Sequence, residues 1–185
     1  KINAEDVDAG IDIEGPEFIS IHPQQDSLRF FAPAAKYNLR KNIIQCINVP
    51  FVDVADSRFF PDSGKVTIFK KAVIDTLRNA VILTNTVTKF HNIRNVKGNI
   101  YGRKSYLASG DYTYYDENKA PYNIHFATIK PDTAGQTLSE GFIPEKDNFK
   151  FNDYFSFAGK VFLVAPSQYL FFEGGTKMTH NCGRI

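Results

Sequence analysis

The stretch that decides the fold is Asp111-Tyr112-Thr113-Tyr114-Tyr115, followed by Asp116-Glu117-Asn118-Lys119 and then by Tyr122-Asn123-Ile124-His125-Phe126-Ala127-Thr128. Side chains along an extended chain point alternately to opposite faces, so Tyr112 and Tyr114 share one face while Thr113 and Tyr115 share the other. Large rings fit a pleated, half-buried surface, which makes both flanks strands. The four polar residues between them have turn chemistry.

The same rhythm extends in both directions. Phe18-Ile19-Ser20-Ile21-His22 stops at Pro23, Leu28 to Ala32 stops at Pro33, and Ala35 to Leu39 stops at Arg40-Lys41-Asn42. Ile43 to Val49 and Phe51 to Ala55 flank Pro50, and Pro61-Asp62-Ser63-Gly64 is a strong turn before the alternating Lys65-Val66-Thr67-Ile68-Phe69. Val81 to Leu83, Phe90 to Val96, Asn99 to Tyr101, Phe155 to Ala165 and Tyr169 to Phe172 continue it. Only Lys71 to Asn79 has apolar residues compatible with a helical period. It is short and rich in β-branched residues, so a turn or strand pair is the better reading.

Strands this short and this regularly punctuated define an all-β chain, read as a β-solenoid or jellyroll-like stack, with a two-sheet β-sandwich as the alternative. Residues 1–15 form an irregular acidic segment ending at Gly15-Pro16, and residues 16–185 form one all-β domain. An internal echo favours repeats. The sequence from Phe51 through Pro61-Asp62-Ser63-Gly64 to Ile74 resembles that from Tyr122 through Pro131-Asp132-Thr133-Ala134-Gly135 to Ile143.

Composition agrees. Among 185 residues there are 17 Phe and 9 Tyr but no Trp and one Met, a balance that favours sheet over helix. The net charge of +2 is scattered, which removes the clustered positive field that nucleic-acid binding requires. The chain opens at Lys1 without an initiator Met and stops abruptly at Ile185, so a segment of a longer protein is expected. The C-terminal run from Lys177 onward has no polar or proline-rich cap, and we expect it to lie at an open edge or to pair with another chain.

Three pieces, Phe30-Phe31-Ala32-Pro33-Ala34-Ala35-Lys36-Tyr37-Asn38, Lys104-Ser105-Tyr106-Leu107-Ala108-Ser109-Gly110-Asp111-Tyr112 and Phe157-Ala158-Gly159-Lys160-Val161-Phe162-Leu163, resemble strand pairs of the OstA/LptA type. Domains of that type are β-jellyrolls or β-tacos that handle lipopolysaccharide in Gram-negative envelopes. The texture is also similar to that of large, repeat-built envelope proteins. The resemblance implies a periplasmic or cell-surface location and an amphipathic lipid as one candidate partner.

Chemistry-bearing constellations are sparse. Asp6, Asp8, Asp12, Glu14 and Glu17 have the oxygen spacing of a calcium loop, but Ile11 stands where such a loop turns on glycine. His22, His91, His125 and His180 show no H-x-x-x-H or H-E-x-x-H spacing. Ser109 lacks a G-x-S-x-G elbow, and no phosphate-cradling glycine loop is present. Cys46 lies in an apolar run and reads as a buried strand residue; a bond to Cys182 and two free thiols stay open as alternatives. Tyr101, Tyr106, Tyr112, Tyr114 and Tyr115 form the one candidate binding cluster, able to stack on sugar rings or apolar ligands. The competing reading is that these rings fill a thin β core. The expectation is therefore a non-catalytic structural or interaction module of the cell envelope, without cofactor or metal. It would contact other parts of its parent chain or a second copy through the C-terminal strand. The alternative is a β-domain that binds an amphipathic lipid or a glycan.

Overall fold

The computed structural model describes residues 15–178, and these are all-β: 58% of them lie in strands, far above the usual 20–25%, and none lies in an α-helix. Fourteen strands among the described residues form three antiparallel sheets. β1 (Glu17–Ile19) pairs with β2 (Arg29–Phe31), and β3 (Ala34–Asn38), β4 (Ile43–Ile47) and β7 (Val66–Ile68) form a three-stranded sheet in that order.

The third sheet dominates. It contains β5 (Val52–Val54), β6 (Ser57–Phe60), β8 (Leu77–Thr84), β9 (His91–Gly102), β10 (Ser105–Tyr115), β11 (Pro121–Pro131), β12 (Thr137–Ile143), β13 (Phe155–Val164) and β14 (Phe171–Met178). Every strand lies beside its sequence neighbour, apart from β7, which departs to the small sheet. The nine strands curl into a half-barrel. The chain thus runs as one meander joined by hairpins, and that is how the all-β class is realised in place of a stack of solenoid coils.

The strands at the centre are longer than the turn signals imply. Gly98 lies inside β9, where an added Cβ would stand 3.2 Å from the Phe59 ring; the residue is glycine to admit a neighbour, not to turn the chain. Gly110 inside β10 is tighter still, 2.8 Å from an Ile93 methyl. Register shifts accompany these sites: β10 slips against β9 between Ser109 and Asp111, and β11 against β12 between Phe126 and Thr128. A slip of this kind inserts an extra residue, bends the strand and increases twist. Asn79 and Asn95 take positive φ where β8 and β9 are irregular, a conformation Asn tolerates better than most side chains. Lys71 to Asn79 is no helix. A 3₁₀ turn (Lys70–Ala72) leads through an isolated Ile68–Ile74 bridge into β8.

The internal echo does not correspond to equivalent structure. Pro61-Gly64 carries the chain out of the large sheet, from β6 to β7, with Val49 donating to the Gly64 carbonyl. Pro131-Gly135 is instead a hairpin tip between two neighbours, held by Asp132, whose carboxylate accepts from the amides of Ala134 and Gln136. Proline, aspartate and glycine serve many turns, so the match is one of turn chemistry alone.

The concave face is filled from the small sheets and from a loop. Leu28, Phe30, Ala32, Cys46, Val49 and Val66 join the same buried cluster as Phe59, Ile82, Ile93 and Phe126. At the other end of the sheet the β12–β13 connection folds inward and places Phe149 among aromatic rings. Its centroid lies 5.1 Å from Tyr114, 4.9 Å from Tyr122, 5.5 Å from Phe151 and 5.8 Å from Phe172. Backbone bonds fix the plug: Phe157 donates to the Phe149 carbonyl and Glu117 to that of Phe151. Offset and edge-on ring pairs of this kind add to the area they bury.

Replacing Phe149 by Ala therefore removes the keystone of this half of the core, and we expect a loss of about 3–5 kcal/mol in urea unfolding. Val87→Ala, at a side chain exposed to solvent, should change stability by no more than about 0.5 kcal/mol.

Candidate functional site

The five candidate tyrosines separate onto two faces. Tyr106, Tyr112 and Tyr114 alternate along the concave side of β10 with Ala108 and Gly110. Tyr106 is buried, and Tyr112 and Tyr114 are half-buried against Phe126 and Phe149. Tyr101 and Tyr115 are exposed on the convex side. The β9–β10 register places Tyr101 level with the start of β10, so some nine residues separate it from Tyr115, roughly 30 Å along the strand. No single ring platform results. The alternation of faces was legible from the sequence, but five tyrosines close in sequence are not close on one surface.

Tyr106 takes part in a buried polar network instead. Its hydroxyl lies 2.6 Å from Thr137 Oγ1 and 3.3 Å from Ser57 Oγ, and the two smaller hydroxyls are 2.7 Å apart. The carboxylate of Asp56 accepts from both the Thr137 amide and the Thr137 hydroxyl. Burial pushes the Tyr106 phenol up to about 12, an effect that its two hydroxyl partners partly oppose and the Asp56 charge reinforces. A phenol held neutral and saturated with partners serves structure better than proton transfer.

His91, the first residue of β9, is a second buried polar group. Its Nε2 lies 2.7 Å from the Ser167 carbonyl, which can only accept, so Nε2 carries the proton and Nδ1 is left to accept from Tyr112 at 3.2 Å. Burial holds the imidazole below its ordinary 6.5, against a smaller upward pull from the Ser167 carbonyl. His125 behaves differently. It lies exposed on β11, 2.7 Å from Asp111, which also accepts from Asn95. Partial burial raises the Asp111 carboxyl, but the bonds from His125 and Asn95 outweigh it and hold the group below its ordinary value.

The remaining candidates fall as follows. Asp6, Asp8, Asp12, Glu14, His180 and Cys182 lie outside the described residues, while Glu17 pairs with Arg29 at 3.7 Å. Cys46 is a buried free thiol, and burial pushes it up to about 11, away from reactivity. Among the described residues no three His, Cys, Asp or Glu side chains gather as a metal site would require.

Two features of the surface remain. The first is the contrast between the ends of the large sheet. β5 is a three-residue edge preceded by Pro50, whereas β14 is an eight-residue edge bonded, among the described residues, only to β13, with seven residues exposed. The second is a pair of clefts beside the β1–β2 hairpin, one polar and aromatic, the other apolar. The clefts form between segments distant in sequence, so no local signal marks them. Compared with protein-family models, with curated proteins and with solved structures, the chain matches none.

Thr137→Val keeps the shape of the side chain but removes the hydroxyl that links Asp56, Ser57 and Tyr106, and should cost about 1–3 kcal/mol, whereas Thr137→Ser should restore most of it. The pH dependence follows from His91. The native imidazole resists protonation while the unfolded one titrates near 6.5, so the unfolded state binds more protons below that value. Stability should be fully retained above pH 6.5 and should fall as the pH drops from 6.5 towards the lowered native value. In a His91→Gln variant, urea midpoints measured across this window should be flatter than in the parent.

Proposed function

We propose that this chain is a non-catalytic interaction module of a cell-envelope protein, working outside the cytoplasm, and that it joins its partner through the free edge of β14. The observation that carries this reading is the edge itself. A free strand presents a row of unpaired backbone donors and acceptors, and proteins ordinarily blunt such rows by brevity, proline or bulges. The β5 end has the first two protections. β14 has neither; its charges are limited to Glu173 and Lys177, it contains no proline, and its pairing with β13 runs in unbroken register from Phe171 to Met178. Strand addition supplies affinity from the backbone and specificity from alternate side chains. The partner is another region of a longer parent chain or a second copy. The envelope setting rests on the resemblance of three segments to OstA/LptA-type strands.

A second reading has its own support. An apolar groove of about 230 Å³ lies between the β1–β2 hairpin and the three-stranded sheet, lined by Phe18, Ile19, Leu28, Ile44, Ile68 and Ile74 among others. Its apolar lining and small volume suit a short acyl segment, which favours the amphipathic-lipid alternative. A fluorescent fatty acid separates the two: binding that Ile68→Asp abolishes would favour the groove, and the edge reading requires none.

Gly175 gives the direct test of the edge. A Cβ added there meets nothing within 4 Å, so Gly175→Lys introduces a charge beside the free row without a packing cost. Sedimentation equilibrium should show concentration-dependent association of the parent chain and its loss in Gly175→Lys, with equal melting temperatures at concentrations where both are monomeric. Two results together would sink the proposal: a chain that stays monomeric up to about millimolar concentration, and β14 amides that gain no exchange protection when the chain is extended at its C terminus.

A further inference from the structure

We propose that the cleft between β2 and β5 is a binding site for a small organic oxyanion, a phosphate or carboxylate carried on a flat apolar body. The cleft has a volume of about 670 Å³, within the range of small-molecule sites, and its walls are aromatic: Phe30, Phe31 and Phe51, with Pro50. Its floor is basic. Arg58 is fixed in place, with its guanidinium 3.7 Å from the centre of the Phe51 ring and Nε and Nη2 donating to the two oxygens of Asp53 at 2.7 and 2.9 Å. That clamp neutralises Asp53 and leaves Nη1 without a partner among the described residues. A guanidinium so held loses little freedom when it donates to a ligand.

Arg103 supplies the unmatched charge. It stands at the tip of the β9–β10 hairpin and lines the same cleft. Its backbone is anchored on both sides, the amide donating to Gln25 at 2.9 Å and the carbonyl accepting from Ala55 at 2.8 Å. Gly102 beside it lies so close to the 3₁₀ turn (Pro23–Gln25) that an added Cβ would stand 3.0 Å from the Gln24 carbonyl oxygen. The tip therefore cannot swing, yet the Arg103 side chain pairs with no carboxylate among the described residues. Glu17 is matched by Arg29 and Asp53 by Arg58, and Lys104 reaches out to Asp26. An unmatched guanidinium carried on a fixed backbone, lining one cleft with a stacked guanidinium and aromatic rings, is complementary to an oxyanion attached to a flat body. Charge-assisted bonds from planar guanidinium groups suit phosphate and carboxylate alike.

The test is a titration of the chain, followed by heteronuclear NMR, with phenyl phosphate, benzoate, phenol and inorganic phosphate. Phenyl phosphate or benzoate should saturate with shifts confined to the cleft, and the stronger of the two identifies the oxyanion. Phenol and inorganic phosphate, each carrying half of the ligand's features, should bind at least about tenfold more weakly. Arg103→Ala preserves both backbone anchors and should weaken binding by about tenfold or more, while Arg40→Ala, at an exposed arginine in the β3–β4 turn, should leave it unchanged. Equal binding by Arg103→Ala and the parent overturns the proposal. So does phenol matching phenyl phosphate, or failure of both aromatic anions to saturate by about 10 mM.

Discussion

A curled sheet that does not close on itself must be held against opening, and here the carboxylate of Asp56 does this. It sits in the turn between β5 and β6 and binds the first residue of β12, with β8 to β11 lying between those strands in the sheet. Tyr106, from the middle of the span, reaches the same point through Thr137 and Ser57. Two further ties lie close by in the chain: Thr88 donates to the Ala165 carbonyl, and His91 to that of Ser167. All three join the β5–β9 part of the sheet to the β12–β14 part. Hydrophobic burial is without direction, so it compacts the interior but cannot choose how tightly a sheet should curl; bonds with fixed geometry can.

Curvature also needs room on the inside. The sheet obtains it by omitting side chains where strands approach most closely and by filling wider gaps with rings. An added Cβ at Gly141 would lie 2.6 Å from the His125 carbonyl oxygen, and Gly110 and Gly98 have similar constraints. Where the curl opens towards β14, the ring cluster around Phe149 takes over. The aromatic wealth and the interior glycines of this chain are therefore two answers to one geometric problem.

The sequence and the fold correspond unevenly, for physical reasons. Alternation along Asp111–Tyr115 correctly assigns Tyr112 and Tyr114 to one face, because the period of a strand is a local property. The runs around Leu28, Ile43 and Phe51 likewise become β2, β4 and β5. Treating Phe90 to Val96 and Asn99 to Tyr101 as separate runs misjudges strand length, since the residues from His91 to Gly102, Gly98 included, form the single strand β9. Grouping the tyrosines as one cluster substitutes nearness in sequence for nearness across a surface. The Asp56–Thr137 tie is illegible: its partners lie 81 positions apart, and nothing local to either distinguishes it from any other aspartate or threonine. Arg103 cannot be singled out either, since lacking a carboxylate is a property of its surroundings.

The unequal edges of the large sheet bear on symmetry. A sheet with two open edges can add copies head to tail without limit, which is the geometry of a fibre. Here β5 is three residues long, and β2 stands across a cleft from it, so among the described residues β14 is the one long free edge of this sheet. Joined through this sheet alone, two copies meet about a twofold axis, edge to identical edge, and the large sheet of the pair then has no long edge left for a third. The short strand at one side of the sheet thus sets an upper limit on assembly through the other.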